Sequence, residues 1–156
     1  MPREVMKRSA SDNEYLHRDF HGALSAGIDY LDDRYGADAV RAYLRGFAVR
    51  FYAPTIEALR ERGLPALREH FERIYAIEGA SPIIRMTENE LVIEVEHCPA
   101  VSHMRAHGYA VARMWVETIR AVNEGLVEGT DFAAKLVEYD AETGASVQRF
   151  VRRDVA

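Results

Sequence analysis

Cysteine is almost missing from this sequence. Cys98 stands alone among 156 residues, which excludes an intramolecular disulfide and the multi-cysteine zinc frameworks. Lysine is nearly as scarce, with Lys7 and Lys135 the only two. Arginine supplies the rest of the 20 basic groups, and 25 acidic groups outnumber them for a net charge of -5. Neither half of the chain, divided at Gly79, has the basic excess that neutralising nucleic-acid phosphates or an anionic membrane surface requires. No run approaches the roughly 18 consecutive apolar residues of a membrane span. No nucleic-acid or membrane partner is therefore expected. The opening Met1-Pro2-Arg3-Glu4 leads into polar residues rather than the apolar core of a signal peptide, so a reduced, cytoplasmic setting is expected. Also absent are a glycine-rich phosphate loop, a Gly-x-Ser-x-Gly elbow and a His-Glu-x-x-His pair. Nucleotide hydrolysis, serine esterase and zincin peptidase chemistry fall with them.

What remains is 48% hydrophobic and 29% charged, the make-up of one globular domain spanning residues 1–156. Residues 1–11 are polar and are expected to be flexible. Asp12, or Ser11 with Glu14, offers a helix start, and Leu16, Phe20, Leu24, Ile28 and Leu31 then recur at helical steps until Gly36. A second helix runs from about Asp38. Pro54 either kinks it or opens a third that ends at Gly63, and Pro65 suits the first turn of a fourth. After Gly79 the register changes. Ile83–Met86 and Leu91–Val95 predict one hairpin, and Phe132–Tyr139 with Ser146–Val151 predict another. Between them, Pro99 opens a short helix closed by Gly108, and Trp115, Ile119, Val122 and Leu126 mark an amphipathic one. The expected fold is α+β: a helical N-terminal half packed on a small antiparallel sheet made of two hairpins separated by two helices. A pocket between the layers, lined by some of the eight Tyr, six Phe and one Trp, is expected to hold a small-molecule ligand or substrate.

Several side chains carry potential chemistry. His17 and His21 are four apart on one helix face, with Glu14 joining them. His103 and His107 repeat that spacing after Pro99. Each pair has the geometry to chelate a divalent metal, zinc or iron, although no cofactor is required by any motif. Against this stands a boundary histidine satisfied by backbone or tyrosine. Cys98, set before Pro99 where a strand gives way to a helix, is a candidate nucleophile. Backbone amides and the positive helix end would lower its pKa, and His97, His103 or His107 would serve as base. Buried free cysteine as a small hydrophobe is the competing reading. Glu117 is a candidate proton carrier, set against a solvated ion-pair face with Arg120 and Glu124. Asp131 is expected to cap the turn before Phe132. The apolar faces of the first two helices exceed what so small a sheet covers, which points to a homodimer.

The run from the strand ending in Cys98-Pro99, through Arg105 and Gly108, Glu117-Thr118, to Glu128-Gly129-Thr130-Asp131-Phe132 resembles the L-2-amino-thiazoline-4-carboxylic acid hydrolase-like proteins. These are related to the vinyl-reductase-type small-ligand domains. The resemblance covers mainly residues 83–151. It implies a helical layer on an antiparallel sheet around a small-molecule pocket, and hydrolysis of a C–N bond in a cyclic amidine-like, amino-acid-derived substrate, with Cys98 at the family's Cys-Pro position. The family's second cysteine, near Glu117, and a further one, at Thr130, are not cysteines here. The alternative is a non-catalytic binding or sensing domain.

Overall fold

The computed structural model describes residues 18–154. The expected helix start at Asp12, and with it Glu14, Leu16 and His17, lies outside the described residues. Helix α1 (Phe20–Tyr35) is followed by α2 (Ala37–Phe51), α3 (Ala53–Arg62) and α4 (Leu64–Ile77). Pro54 resolves as the opening turn of a separate helix, because Tyr52 leaves helical geometry at φ -97°, ψ 18°. Between α3 and α4, Gly63 adopts φ 72°, which side chains with a Cβ resist, and Pro65 then fits the first turn of α4.

The second half contains β1 (Ile83–Met86), β2 (Glu90–Val95), α5 (Pro99–Ala106), α6 (Glu117–Leu126), β3 (Phe132–Tyr139) and β4 (Ser146–Arg152). The four strands form one antiparallel sheet in the order β1-β2-β4-β3, so the two hairpins join through β2 and β4. The α+β architecture read from the sequence is the architecture observed.

Register assigns the faces. Leu91 lies opposite Phe150 and Ile93 opposite Gln148, and these residues are buried beneath the helices with Val95 and Ser146. Their neighbours Val92, Glu94, Val147 and Arg149 face the other way. Two ion pairs, Arg85 with Glu94 and Arg149 with Glu90, lie on that outer face. One apolar cluster joins α3 and α4 to the sheet through Leu67, Phe71, Leu91, Ile93 and Phe150. A second joins α1, α2, α5 and α6 through Ile28, Leu44, Val101, Met104 and Trp115. Half-buried Val122 touches both.

Two expectations about apolar faces are corrected. Phe20 is 69% exposed, so the inward stripe of α1 begins at Leu24 and Ile28. Trp115 precedes α6, and the buried positions of that helix are Glu117, Ala121, Asn123, Gly125 and Leu126. Three of these, at steps of four, form a narrow face turned to α2. A Cβ on Gly125 would come within 2.7 Å of Ala48 Cβ and 2.8 Å of the Arg45 carbonyl oxygen. Close helix approach selected the small residue, where a general hydrophobic stripe was expected. Among the described residues, no helix is long and apolar enough to cross a membrane.

Candidate functional site

The site lies where β2 ends. Val95 is the last residue of the strand, Glu96 and His97 turn outward, and Cys98 caps α5 with Pro99 in the first turn. The β3–β4 loop fixes this junction. Asp140 accepts hydrogen bonds from the Glu142 amide at 2.8 Å and the Thr143 hydroxyl at 3.2 Å, shaping a turn whose Thr143 carbonyl takes the Cys98 N–H at 3.0 Å. Gly144 sits against the cysteine. Its φ is +69°, and a Cβ there would collide with Cys98 Cβ and come within 2.8 Å of Val101 Cγ2. Only glycine permits both the conformation and the contact.

Behind the cysteine is a buried polar row. Gln148, 1% exposed on the core face of β4, accepts a hydrogen bond from Asn123 Nδ2 at 2.7 Å. Its own Nε2 donates to Tyr75 Oη at 3.2 Å and Ser146 Oγ at 3.1 Å. Four side chains from α4, α6 and β4 thereby satisfy one another, as buried polar groups must. Burial, reinforced by the proximity of Cys98 and Glu78, pushes the Tyr75 hydroxyl up to about 12.

The thiol itself corrects an expectation. Burial raises the pKa of Cys98 above the ordinary thiol value, with Glu78 adding to the rise. The Ala100 and Val101 amides pull the other way, but no side-chain capping bond forms at this helix start. Desolvation outweighs the helix end, so the protonated thiol is favoured. Among the described residues, no side chain is hydrogen-bonded to the sulfur. His97 points outward beside Glu96, 3.9 Å away.

The last turn of α4 faces the start of α1. Glu78 Oε1 accepts from His21 Nε2 at 3.0 Å, and the buried Glu78 Oε2 has no partner among the described residues. The His21 ring meets Trp115 edge-on, with centroids 6.4 Å apart. His103 Nε2 donates to Asp19 Oδ1 at 3.1 Å, and His107 Nδ1 donates to the His103 carbonyl at 2.8 Å. The two rings lie 4.1 Å apart, tilted by 31°. His21, His103 and His107 thus lie near one corner, where α1 meets α5, but in separate hydrogen-bonded units. His17 lies outside the described residues, and among those described no group of three His, Cys, Asp or Glu side chains is arranged to hold a metal ion. An open groove of about 560 Å³ runs along this corner, walled by Arg18, Glu78, His97, Ser102, His103 and His107.

Glu117 is not part of it. Its side chain is 1% exposed in the seam between α2 and α6, 2.7 Å from Arg120 Nη1 and 3.2 Å from Arg41 Nε. The solvated face expected for it is wrong, since the helix turns this carboxylate inward and two arginines reach in from the surface. The pairing raises the Arg41 pKa. Asp131 gives way to Thr130, whose Oγ1 accepts from the Phe132 amide at 3.2 Å.

Sequence reasoning missed Tyr75, Glu78, Asn123 and Gln148. The signal available was Ser146-x-Gln148 at core-facing steps of a strand that otherwise buries Phe150. The lining also differs from expectation, because imidazoles and Arg18 wall the groove while Trp115 and Tyr75 pack inside. No known family model matches this sequence, and no curated protein is similar to it.

Proposed function

We propose that this protein is a small-ligand-binding domain that takes an organic acid derived from an amino acid into the groove beside Cys98 and Pro99. The observation that carries this reading is an open groove beside the Cys98–Pro99 junction, where burial raises the pKa of the half-buried thiol and, among the described residues, no base is bonded to it. Arg18, His97, His103 and His107 offer nitrogen donors to a carboxylate, with Val95, Pro99 and Ser102 among the residues that line the groove beside them. The setting proposed is a reduced cytoplasm, consistent with a chain holding one free cysteine.

Calorimetric titration with 2-amino-thiazoline-4-carboxylic acid and a panel of amino-acid-derived carboxylates tests the reading. Saturable binding without product is expected from the unmodified chain. Ser102→Trp, which fills the groove from its surface, should lose that binding at an unchanged melting temperature. No binding by any acid at millimolar concentration, or undiminished binding by Ser102→Trp, overturns it.

A hydrolase acting on the C–N bond of a cyclic amidine is the second reading. It is favoured by the His21–Glu78 pair, whose carboxylate lies within electrostatic reach of the Cys98 thiol. In that reaction a water adds to the amidine carbon as His21 accepts its proton, and the C–N bond breaks as His21 returns that proton to the leaving nitrogen. In the thiol version the Cys98 sulfur adds first in the same way, and water then cleaves the carbon–sulfur bond and returns the thiol. Glu78 holds the imidazole in one orientation. Product from the wild type, lost in both Cys98→Ala and His21→Ala, is the expected sign of thiol chemistry.

A further inference from the structure

On α4, His70 is buried and unanswered. The residue is 4% exposed, yet its Nδ1 has no hydrogen-bond partner among the described residues. Its ring instead meets aromatic rings edge-on, Tyr52 at a centroid distance of 5.0 Å and Phe71 at 5.3 Å. Burial first, and the nearby Arg73 second, lower its pKa to about 4, so the imidazole is neutral at neutral pH. An apolar side chain would suit those surroundings without leaving a nitrogen unbonded, and buried polar groups without partners are rare. Packing alone therefore does not account for a histidine here.

The ring borders open space. It lines a cleft of about 320 Å³ between α3 and α4. Thr55, Ala58 and Arg62 form one wall at helical steps of three and four, and Ala66, His70 and Arg73 form the other. The two alanines leave the middle of the cleft open. Arg62 holds the carboxylate of Glu69 in a two-pronged pair, Nη1 to Oε1 and Nη2 to Oε2 both at 3.1 Å, so those charges cancel. Arg73 supplies the charge that is left over. Among the described residues, its exposed guanidinium enters no ion pair or hydrogen bond, and the Thr55 hydroxyl forms no hydrogen bond.

A guanidinium, a hydroxyl and a neutral imidazole thus line one cleft with their hydrogen-bonding capacity unused. All three donate N–H or O–H, and the lining carries one net positive charge, which selects an oxyanion. Three separate donors exceed the two oxygens of a carboxylate and match the three or more acceptor oxygens of a phosphate group. We propose that the α3–α4 cleft is a binding site for a phosphate group, held by Arg73, Thr55 and His70. It shares no lining residue with the groove beside Cys98, so it stands or falls independently of the ligand reading there.

The test is calorimetric titration of the full chain with inorganic phosphate and with glycerol 3-phosphate, at neutral pH and constant ionic strength. Saturable binding of at least one probe at millimolar concentration is expected. Tighter binding of the ester assigns the cleft to a phosphorylated small molecule, and tighter binding of the inorganic ion assigns it to free phosphate. Arg73→Gln changes an exposed side chain, so it should keep its circular dichroism spectrum while binding at least tenfold more weakly. The His70 ring proton resonances, identified by their loss in His70→Phe, should move as the wild type saturates. No binding of either probe overturns the proposal. Binding undiminished in Arg73→Gln overturns it equally, by placing the anion elsewhere, as do His70 resonances that stay fixed at saturation.

Discussion

Two of the places where this molecule buries polar side chains do so differently. In the seam between α2 and α6, Glu117 is sealed by helices and answered by Arg41 and Arg120, which reach in from the surface. At the end of the sheet, Gln148, Asn123, Tyr75 and Ser146 answer one another, and the neighbours of Cys98, His97 and Pro99, line an open groove. The seam has no route outward for its carboxylate except along its own arginines. The sheet end borders on space for a ligand. Burial of a titratable group is therefore weak evidence for a site, and burial beside a cavity is much stronger.

Gly144→Ala is the sharpest way to break the sheet end. The methyl would collide with Cys98 Cβ at a backbone φ of +69°, so neither side chain nor chain has room to yield. Strain and overpacking together predict a loss of about 3 kcal/mol in urea denaturation. A loss below about 1 kcal/mol would mean that the loop does not pin the cysteine.

Gln148→Leu is expected to cost about 2 kcal/mol, because it leaves Asn123 Nδ2 and Tyr75 Oη buried without their partner. The double variant Asn123→Leu/Gln148→Leu should be milder than the two single losses added. Strict additivity would contradict a shared polar row.

The row also predicts a response to alkali. Tyr75 holds its proton up to about 12 in the folded state and releases it near 10 when unfolded. Between those values the unfolded chain binds fewer protons, so stability is full below pH 10 and falls as the pH rises toward 12. The change is up to about 2 kcal/mol, read from denaturation midpoints. Tyr75→Phe, already weakened, should show a smaller decline, the remainder coming from Cys98, Tyr52 and Tyr139, whose pKa values burial also raises.

Glu117→Met should change stability least, by less than about 1 kcal/mol. The carboxylate is desolvated with one oxygen unpartnered among the described residues, and its arginines remain half in water once it is gone. A loss above about 3 kcal/mol would show that the seam depends on its charges as strongly as the sheet end depends on its amides.

The fold was legible because its signals were local. Glycines and prolines punctuated the helices, and the alternation of Leu91, Ile93 and Val95 named the buried face of a strand before its partners were known. Pro54 was ambiguous, since proline fits a kink and a first turn equally well and only Tyr52 decides between them. The site was legible in part. His97, Pro99 and the histidines after them do wall a groove, but the thiol's character is set first by burial, with the local Val101 and Ala100 amides opposing it and Glu78, far off in the chain, adding to it. Glu117 was misread because helix periodicity places a residue on a face without saying which face the neighbouring helix covers. Trp115 suggested one face, and the close approach at Gly125 imposed another.

The most direct test of the account is the rate of Cys98 alkylation by iodoacetamide from pH 6 to 11 on the folded protein. The single cysteine makes the readout unambiguous. The account predicts slow reaction at neutral pH and a midpoint above the ordinary thiol value of 9.0, since burial outweighs the helix end. Fast alkylation at pH 7, with a midpoint below that value, would contradict it and identify Cys98 as a thiolate nucleophile.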